Sequence, residues 1–253
     1  MIVGPTATTR EDKWAFVHVV QEKLRKRYPK EIIAIGVYGS MARGTDGPFS
    51  DIEMWVIIRD GLKMSGHEFI WDAFKVEIDV MERRAFYNLA KTIDDGWAIK
   101  AGTFVDVRAL YDPELVFDVV KQLSMAISDE RIHEVMREFM IWEPYETMAK
   151  LKNTIAEDHG SYVSLGATDL AWQTAQLIGL ANKRYYTTRA RTFEESLNMP
   201  CKPTGYGELV QAIMAGTLGD AAQVYALCES LWCGLNEWFN TLGITYTVDE
   251  LPF

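Results

Sequence analysis

The chain opens with an amphipathic helical pattern. A hydroxyl at Thr8 or Thr9 precedes Glu11 or Asp12 by three residues, a spacing typical of a capping box at a helix start. The apolar positions that follow recur every three or four residues and form one stripe: Trp14, Val17, Val20, Leu24 and Tyr28. We therefore predict a first helix that ends at Pro29, whose ring cannot continue it.

Strand-like patterns follow this helix. An apolar run predicts a strand at about 32–38, and apolar residues at alternate positions predict strands at about 51–58 and 68–80. The last run alternates Phe74, Val76, Ile78 and Val80 with Lys75, Glu77 and Asp79. A helix at about 82–94 and a strand at about 103–110 complete a mixed α/β domain.

Helical spacing replaces the strand patterns from Pro113 onward. We predict helices near 113–126, 129–157, 163–183, 190–198, 206–215 and 218–242. The predicted fold is therefore an α/β N-terminal domain with a mixed sheet, at residues 1–112, followed by an all-α helical-bundle domain at residues 113–253.

Composition narrows the classes of partner. The 253 residues are 48% hydrophobic, and 36 acidic against 26 basic side chains give a formal charge of -10. This charge opposes binding to a nucleic-acid backbone and favours cationic ligands. Because no apolar run reaches about 18 residues, we expect no membrane association and a cytoplasmic location. The three cysteines contain no Cys-x-x-Cys pair, so we expect neither a disulfide framework nor a zinc site.

Two acidic residues follow the first strand and a tight turn. The strand runs into Gly39-Ser40, and the next strand opens with Asp51 and Glu53. Because successive side chains of a strand point to opposite faces, Asp51 and Glu53 share a face, with Cα atoms roughly 6.5 to 7 Å apart. Two carboxylates so placed can hold a hard cation such as Mg2+. If the third strand lies beside the second, Glu77 joins them as a third carboxylate.

The same segment has the features of a phosphate site. Gly39 allows close approach to the backbone, and Ser40 would begin a short helix whose N–H groups attract anions. Arg43, one turn further on, can pair with phosphate oxygens through two N–H groups. We therefore predict that these three residues bind phosphate groups.

These motifs carry a family resemblance. Gly-Ser, a short turn and two acids alternating with apolar residues resemble the signature of the nucleotidyltransferase superfamily that includes DNA polymerase β. The longer blocks are similar to the aminoglycoside 4'-O-nucleotidyltransferases, the kanamycin nucleotidyltransferase family, in which Glu53 has an accepted place although Asp is commoner in the superfamily. These blocks are residues 36–40, 45–48, 50–54, 74–77, 110–112, 143–152 and 186–188.

The resemblance implies further roles. It implies transfer of AMP, or another nucleoside monophosphate, from a Mg2+-nucleoside triphosphate such as ATP to the 4'-hydroxyl of an aminoglycoside. It places Glu146 as the general base and Lys150 on the phosphates, on a helix that reaches the site from the other subunit of a homodimer. Glu143, Glu146 and Lys150 are three and four residues apart, so they project from one helix face. Glu77, Lys75 and Glu143 would bind the aminoglycoside.

Other interpretations stay open at this stage. The enzyme could act on another acceptor, such as a nucleic-acid end or a protein hydroxyl, or the chain could be a non-catalytic, antitoxin-like interaction module. Glu146 and Lys150 could form only a solvated ion pair. Lys75 could contact substrate or phosphate, or merely lie on the exposed face of a strand.

Overall fold

The computed structural model describes residues 4–157, 160–251 and 253. They divide into two compact units: Met1–Thr92 with Lys100–Ala126, and Ile93–Ile99 with Ile127–Phe253. The first unit extends beyond the predicted boundary after residue 112, because Val116, Phe117 and Val120 are buried in its core. The domain boundary itself stays a prediction.

A mixed five-stranded sheet forms the first unit. Its order is β3-β4-β2-β1-β5; β2 and β4 run parallel, and the other neighbouring pairs run antiparallel. The strands are β1 (Ile32–Val37), β2 (Ile52–Ile58), β3 (His67–Trp71), β4 (Phe74–Glu82) and β5 (Arg108–Tyr111).

Two strand predictions need correction. The single strand predicted at 68–80 is a hairpin of two strands, which turns at Asp72 with a left-handed φ of 52°. Both arms alternate apolar and polar residues, so the pattern conceals the turn. The strand predicted at 103–110 begins only at Arg108, and a helical turn precedes it.

The helices of the first unit connect and cover its strands, whereas most of the helix at Trp97–Lys100 belongs to the second unit. The helices up to residue 126 are α1 (Arg10–Arg27), α2 (Gly39–Arg43), α3 (Arg83–Lys91), α4 (Trp97–Lys100), α5 (Gly102–Val105) and α6 (Val116–Met125). The predicted capping box is confirmed: the Thr9 side chain accepts from the Asp12 N–H, and the Asp12 side chain accepts from the Thr9 N–H.

The two faces of the sheet carry different residues. Ile52, Met54, Val56 and Ile58 pack with Val17 of α1 in one buried cluster. The opposite face of β2 carries Trp55, which packs with Phe86 and Phe117 from α3 and α6. By strand alternation, Asp51 and Glu53 lie on the Trp55 face, at the end where β2 begins.

The second unit is helical in its described residues. Its helices are α7 (Asp129–Trp142), α8 (Pro144–Ala156), α9 (Val163–Ala181), α10 (Thr192–Leu197), α11 (Tyr206–Ala215) and α12 (Ala221–Thr241), with a 3-10 turn at Arg189–Arg191. The one helix predicted at 129–157 is two, because Pro144 starts a new helix at its first position. No helix in the described ranges is long and apolar enough to cross a membrane.

Candidate functional site

Strand register brings the predicted carboxylates together. In the parallel β2–β4 pair, Glu53 lies opposite Glu77, and Asp51 immediately precedes β2. All three side chains are half-buried. The predicted position of Glu77 beside Glu53 is therefore confirmed, while the metal-binding role of Asp51 and Glu53 stays a prediction.

The surroundings of Glu53 destabilise the ionised form of its carboxyl. The pKa of its carboxyl is raised to about 7, mainly by burial and then by the negative charges of Asp51 and Glu77, whereas Arg43 and Lys75 oppose the shift. An ionised Glu53 therefore needs nearby positive charge.

The donor set fits a hard divalent cation. Carboxylate oxygens are the ligands that Mg2+ and similar ions take, and the raised pKa of Glu53 shows that added positive charge would stabilise its ionised form. The side chains do not already converge on one point: within the described residues, no three His, Cys, Asp or Glu side chains are grouped to hold an ion.

The ammonium of Lys75 lies among these acids. Its Nζ is 3.4 Å from Asp51 Oδ2, 3.4 Å from Glu77 Oε2 and 3.1 Å from Glu68 Oε1. Glu68 lies on β3, opposite Glu77. The sequence singled out Lys75, but it did not reveal Glu68, because the hairpin that brings β3 beside β4 was not recognised.

Gly39 places the turn directly against the carboxylates. It has a left-handed φ of 68°, and a Cβ atom at this position would overlap Glu53 Oε2. The adjoining Tyr38 N–H donates to the Glu53 carbonyl at 3.0 Å. Ser40 follows in the first turn of α2. The structure thus brings the predicted phosphate residues Gly39 and Ser40 beside the acids.

Arg43, also predicted to bind phosphate, lies in an ion pair. Its Nη1 is 3.3 Å from Asp106 Oδ2, and both side chains are largely buried. Its Nε is buried and has no hydrogen-bond partner among the described residues. One N–H of the guanidinium is therefore left for another acceptor.

A buried ion pair supports the loop between α2 and β2. Lys13 Nζ lies 2.9 Å from Asp46 Oδ2 and donates to the Gly47 carbonyl at 2.6 Å, and both side chains are 1% exposed. Thr8 N–H also donates to the Pro48 carbonyl at 2.8 Å. Sequence reasoning missed Lys13; the signal was a lysine four residues before Val17, on the apolar stripe of α1.

Tyr38 and Asp79 form a second contact that was missed. The Tyr38 hydroxyl donates to Asp79 Oδ2 at 2.7 Å, and its ring stacks on Trp55 at 5.1 Å. Burial raises the pKa of the Tyr38 hydroxyl far above its usual value, and the hydrogen bond to Asp79 adds to the shift. Tyr38 therefore stays protonated beneath the carboxylates.

The remaining predicted residues lie in the second unit. Lys150 Nζ is 2.8 Å from Glu146 Oε1 on α8, and both side chains are more than half exposed. The hydrogen bond to Glu146 is the main cause of a raised Lys150 pKa. Glu143, between α7 and α8, accepts from Gln173 Nε2 at 3.1 Å. Glu143 is thus held in place, whereas the Glu146–Lys150 pair is open to solvent.

Glu143 also lines an acidic cavity of about 240 Å³. Asp94, Asp95 and Glu138 contribute further carboxylates, and Trp142, which is 74% exposed, forms part of the wall. A cavity with this lining suits a ligand that carries ammonium groups.

Models of known protein families match both the N-terminal and the C-terminal part of the chain. The KNTase C-terminal domain family matches residues 114–245, just over half of the chain, and the nucleotidyltransferase domain matches residues 18–98. The predicted order, an α/β nucleotidyltransferase domain followed by a mostly helical domain, is confirmed.

Individual proteins resemble the chain over most of its length. The aminoglycoside nucleotidyltransferases (4') of Bacillus sp and of Staphylococcus aureus are each 29% identical to it over 251 residues, which cover 99% of this chain and 99% of each relative. A solved nucleotidyltransferase-like protein from Exiguobacterium sibiricum 255-15 is 12% identical, with a TM-score of 0.55 over 88% of this chain and 75% of its own. The solved structure establishes likeness of fold.

Proposed function

Because the chain belongs to the KNTase C-terminal domain family and carries a nucleotidyltransferase domain, we propose that it transfers AMP, or another nucleoside monophosphate, to the 4'-hydroxyl of aminoglycosides. The chain is a nucleotidyltransferase, and a nucleoside triphosphate is its donor. Pyrophosphate leaves in the reaction, and modified kanamycin, tobramycin or amikacin would no longer act as a drug. We expect this chemistry in the cytoplasm.

The cluster of three carboxylates beside the Gly39 turn is the main observation that supports the proposal. Glu53 and Glu77 lie opposite each other on two paired strands, Asp51 immediately precedes the first of these strands, and the Gly39 backbone lies against Glu53. We assign Asp51 and Glu53 as ligands of Mg2+. When bound, this ion would neutralise phosphate charge and activate the acceptor hydroxyl.

The residues around the turn bind and orient the triphosphate in this proposal. Gly39 gives the phosphates access to backbone N–H groups, and the Ser40 hydroxyl can donate to a phosphate oxygen. Arg43 keeps its unpartnered Nε–H for the same anion while Asp106 holds its other end. Lys150 would add a further positive charge near the leaving phosphates.

Glu146 is the proposed general base. An ionised carboxylate can take the proton from the acceptor 4'-hydroxyl as the oxygen attacks the α-phosphorus. The ammonium of Lys150 lies 2.8 Å from Glu146 Oε1 on the same helix. We propose that the chain works as a homodimer and that Glu146 and Lys150 act in a site shared between subunits, as the family resemblance implies.

Acidic residues would bind the cationic acceptor. Glu77 and Glu143 can accept from its ammonium groups, and the cavity beside Glu143 adds further carboxylates. We propose that Lys75 contacts the substrate or a phosphate. The formal charge of -10 favours encounter with a polycation.

Pyrophosphate release from ATP and Mg2+, measured with and without kanamycin, tests the proposal. We expect drug-dependent release by the wild-type protein and its loss in Asp51→Asn. Pyrophosphate release that is the same with and without kanamycin would point to another acceptor. Equal release by the wild-type and Asp51→Asn proteins would show that Asp51 is not a metal ligand. Mass spectrometry of the product should show kanamycin carrying one AMP, and sedimentation tests the dimer.

A further inference from the structure

The Lys75 ammonium occupies the space between carboxylates from three segments of the first unit. Glu68 comes from β3, Glu77 from β4 and Asp51 from the residue before β2, and each has an oxygen within 3.4 Å of Nζ. The single positive charge of Lys75 is therefore shared among three carboxylates. This is the position that a small cation would take if the lysine were absent.

The ammonium is held loosely. Its distances to Asp51 and Glu77 are both 3.4 Å, longer than the roughly 2.7 to 2.9 Å of a strong charged hydrogen bond. The Lys75 side chain is 45% exposed, so water competes for the charge. Four rotatable carbon bonds also let the ammonium swing out toward solvent without moving β4. Its shortest contact, 3.1 Å to Glu68 Oε1, is made to a side chain that is itself 66% exposed.

The charge balance favours exchange for a cation of higher charge. Asp51, Glu53, Glu68 and Glu77 are four acids, and the Lys75 ammonium forms ion pairs with three of them, Asp51, Glu68 and Glu77. A divalent ion brings twice the charge and approaches carboxylate oxygens to about 2.0–2.1 Å, well inside the reach of an ammonium. Among the described residues, no three of the acids are already placed to hold a metal ion.

We propose that the Lys75 ammonium is the counter-ion of the Asp51, Glu68 and Glu77 carboxylates while no metal is bound. A divalent cation then binds by displacing this ammonium. The inference rests on the proposed function only in that Asp51 contributes to the cation site. Lys75 thus weakens cation binding in the absence of nucleotide, instead of assisting it. It also keeps the acids from repelling one another until a divalent cation arrives.

Mn2+ binding in the absence of nucleotide tests whether Lys75 weakens or strengthens cation binding. Titration followed by the electron paramagnetic resonance of free Mn2+ should give a dissociation constant about tenfold lower for Lys75→Met than for the wild-type protein, because three exposed ion pairs no longer compete. Lys75→Arg keeps the competing charge and should stay near the wild-type value. An unchanged or weaker affinity in Lys75→Met would overturn the proposal.

Lys63→Met is the matched control for the loss of one positive charge. Lys63 is exposed in the same unit and makes no ion pair with Asp51, Glu68 or Glu77. We expect its Mn2+ affinity to remain within about twofold of wild type, since exposed charges far apart are screened by salt. If Lys63→Met tightened Mn2+ binding as much as Lys75→Met, net charge would explain the effect and displacement would be refuted.

Acetylation of the lysine gives a direct view of displacement. Saturating Mg2+ should increase the rate at which acetic anhydride modifies Lys75 by several-fold, as read by peptide mass spectrometry, while Lys63 reacts at an unchanged rate. A slower or unchanged Lys75 reaction at saturation would overturn the proposal. Tighter Mn2+ binding by Lys75→Met would stand even if kanamycin proved not to be the acceptor, so failure of the proposed function is separately visible.

Discussion

The Gly39 backbone lies directly against the Glu53 carboxylate, so that a Cβ atom on Gly39 would overlap Glu53 Oε2. The turn that is assigned to phosphate and the acid that is assigned to metal are therefore built as one unit. Any side chain at Gly39 must move Glu53, and moving Glu53 disturbs the carboxylates around it. Substitution of Gly39 is therefore the most direct single test of the site.

We predict that Gly39→Ala reduces turnover by about 100-fold, because a displacement of roughly 1 Å in a reacting group can have an effect of this size. The left-handed φ of 68° adds a backbone cost of about 1 kcal/mol to the free energy of unfolding. Steady-state turnover and urea unfolding measure the two effects separately.

Gly61→Ala controls for the backbone cost alone. Gly61 has a φ of 84°, and a Cβ there would meet no atom within 4 Å. It should lose about 1 kcal/mol of stability and keep near wild-type turnover. Similar turnover in the two variants would show that overlap with Glu53 is irrelevant to catalysis.

The buried Lys13–Asp46 pair should dominate the stability of the α2–β2 loop. Lys13→Met leaves the buried Asp46 carboxylate with only the longer, 3.6 Å contact to the half-exposed Arg10, and we expect a loss of about 3 kcal/mol in urea unfolding. The double variant Lys13→Met/Asp46→Leu should recover most of that loss, since two apolar side chains can replace a buried pair. Lys183→Met, which breaks an exposed pair with Asp129, should change stability by less than about 1 kcal/mol. A loss of that small size in Lys13→Met would contradict the assignment.

Glu53 should make stability depend on pH. Its pKa is about 7 in the folded chain and 4.5 for an unperturbed glutamate, so between these values the folded state binds more protons than the unfolded state. Stability therefore falls as pH rises from about 4.5 to 7. In EDTA, Glu53→Gln should be more stable than wild type at pH 8, by on the order of 2 kcal/mol, with a much smaller difference at pH 4.

Thermal unfolding in EDTA at both pH values measures this difference. Glu22→Gln, on the exposed surface of α1, serves as a control and should follow the wild-type pH dependence. A Glu53→Gln protein whose stability fell with pH as steeply as wild type would show that Glu53 is not the group responsible.

Replacement of Glu146 should separate chemistry from binding. Glu146→Gln keeps the shape of the side chain but cannot take a proton, so we predict a 100-fold or greater loss of turnover with nucleotide affinity nearly unchanged. Glu194→Gln is the matched control, because Glu194 forms an equally exposed ion pair with Arg191 one turn away. Single-turnover kinetics and equilibrium nucleotide binding provide the two measurements, and comparable rates for these variants would remove Glu146 as the base.

Local patterns predicted the residues that depend on neighbours along the chain. The Thr9 cap lies within one helical turn, and the shared face of Asp51 and Glu53 follows from strand alternation. The same local reasoning was wrong where two elements share one pattern. The β3–β4 hairpin alternates on both arms, and α7 and α8 keep helical spacing across Pro144.

The sequence by itself determined the carboxylates, the glycine turn and the order of an α/β domain before a helical one, because those features are encoded in periodicity and in the allowed backbone angles of single residues. Only the tertiary structure decided that Lys75 stands between Asp51, Glu68 and Glu77, that Lys13 pairs with Asp46, and that Tyr38 donates to Asp79. Apart from the contact of Lys75 with Glu77, which both lie on β4, these contacts join distant segments of the chain. Their partners are selected by strand register and helix packing, which minimise the free energy of the whole fold, so the local pattern around each residue does not specify its partner.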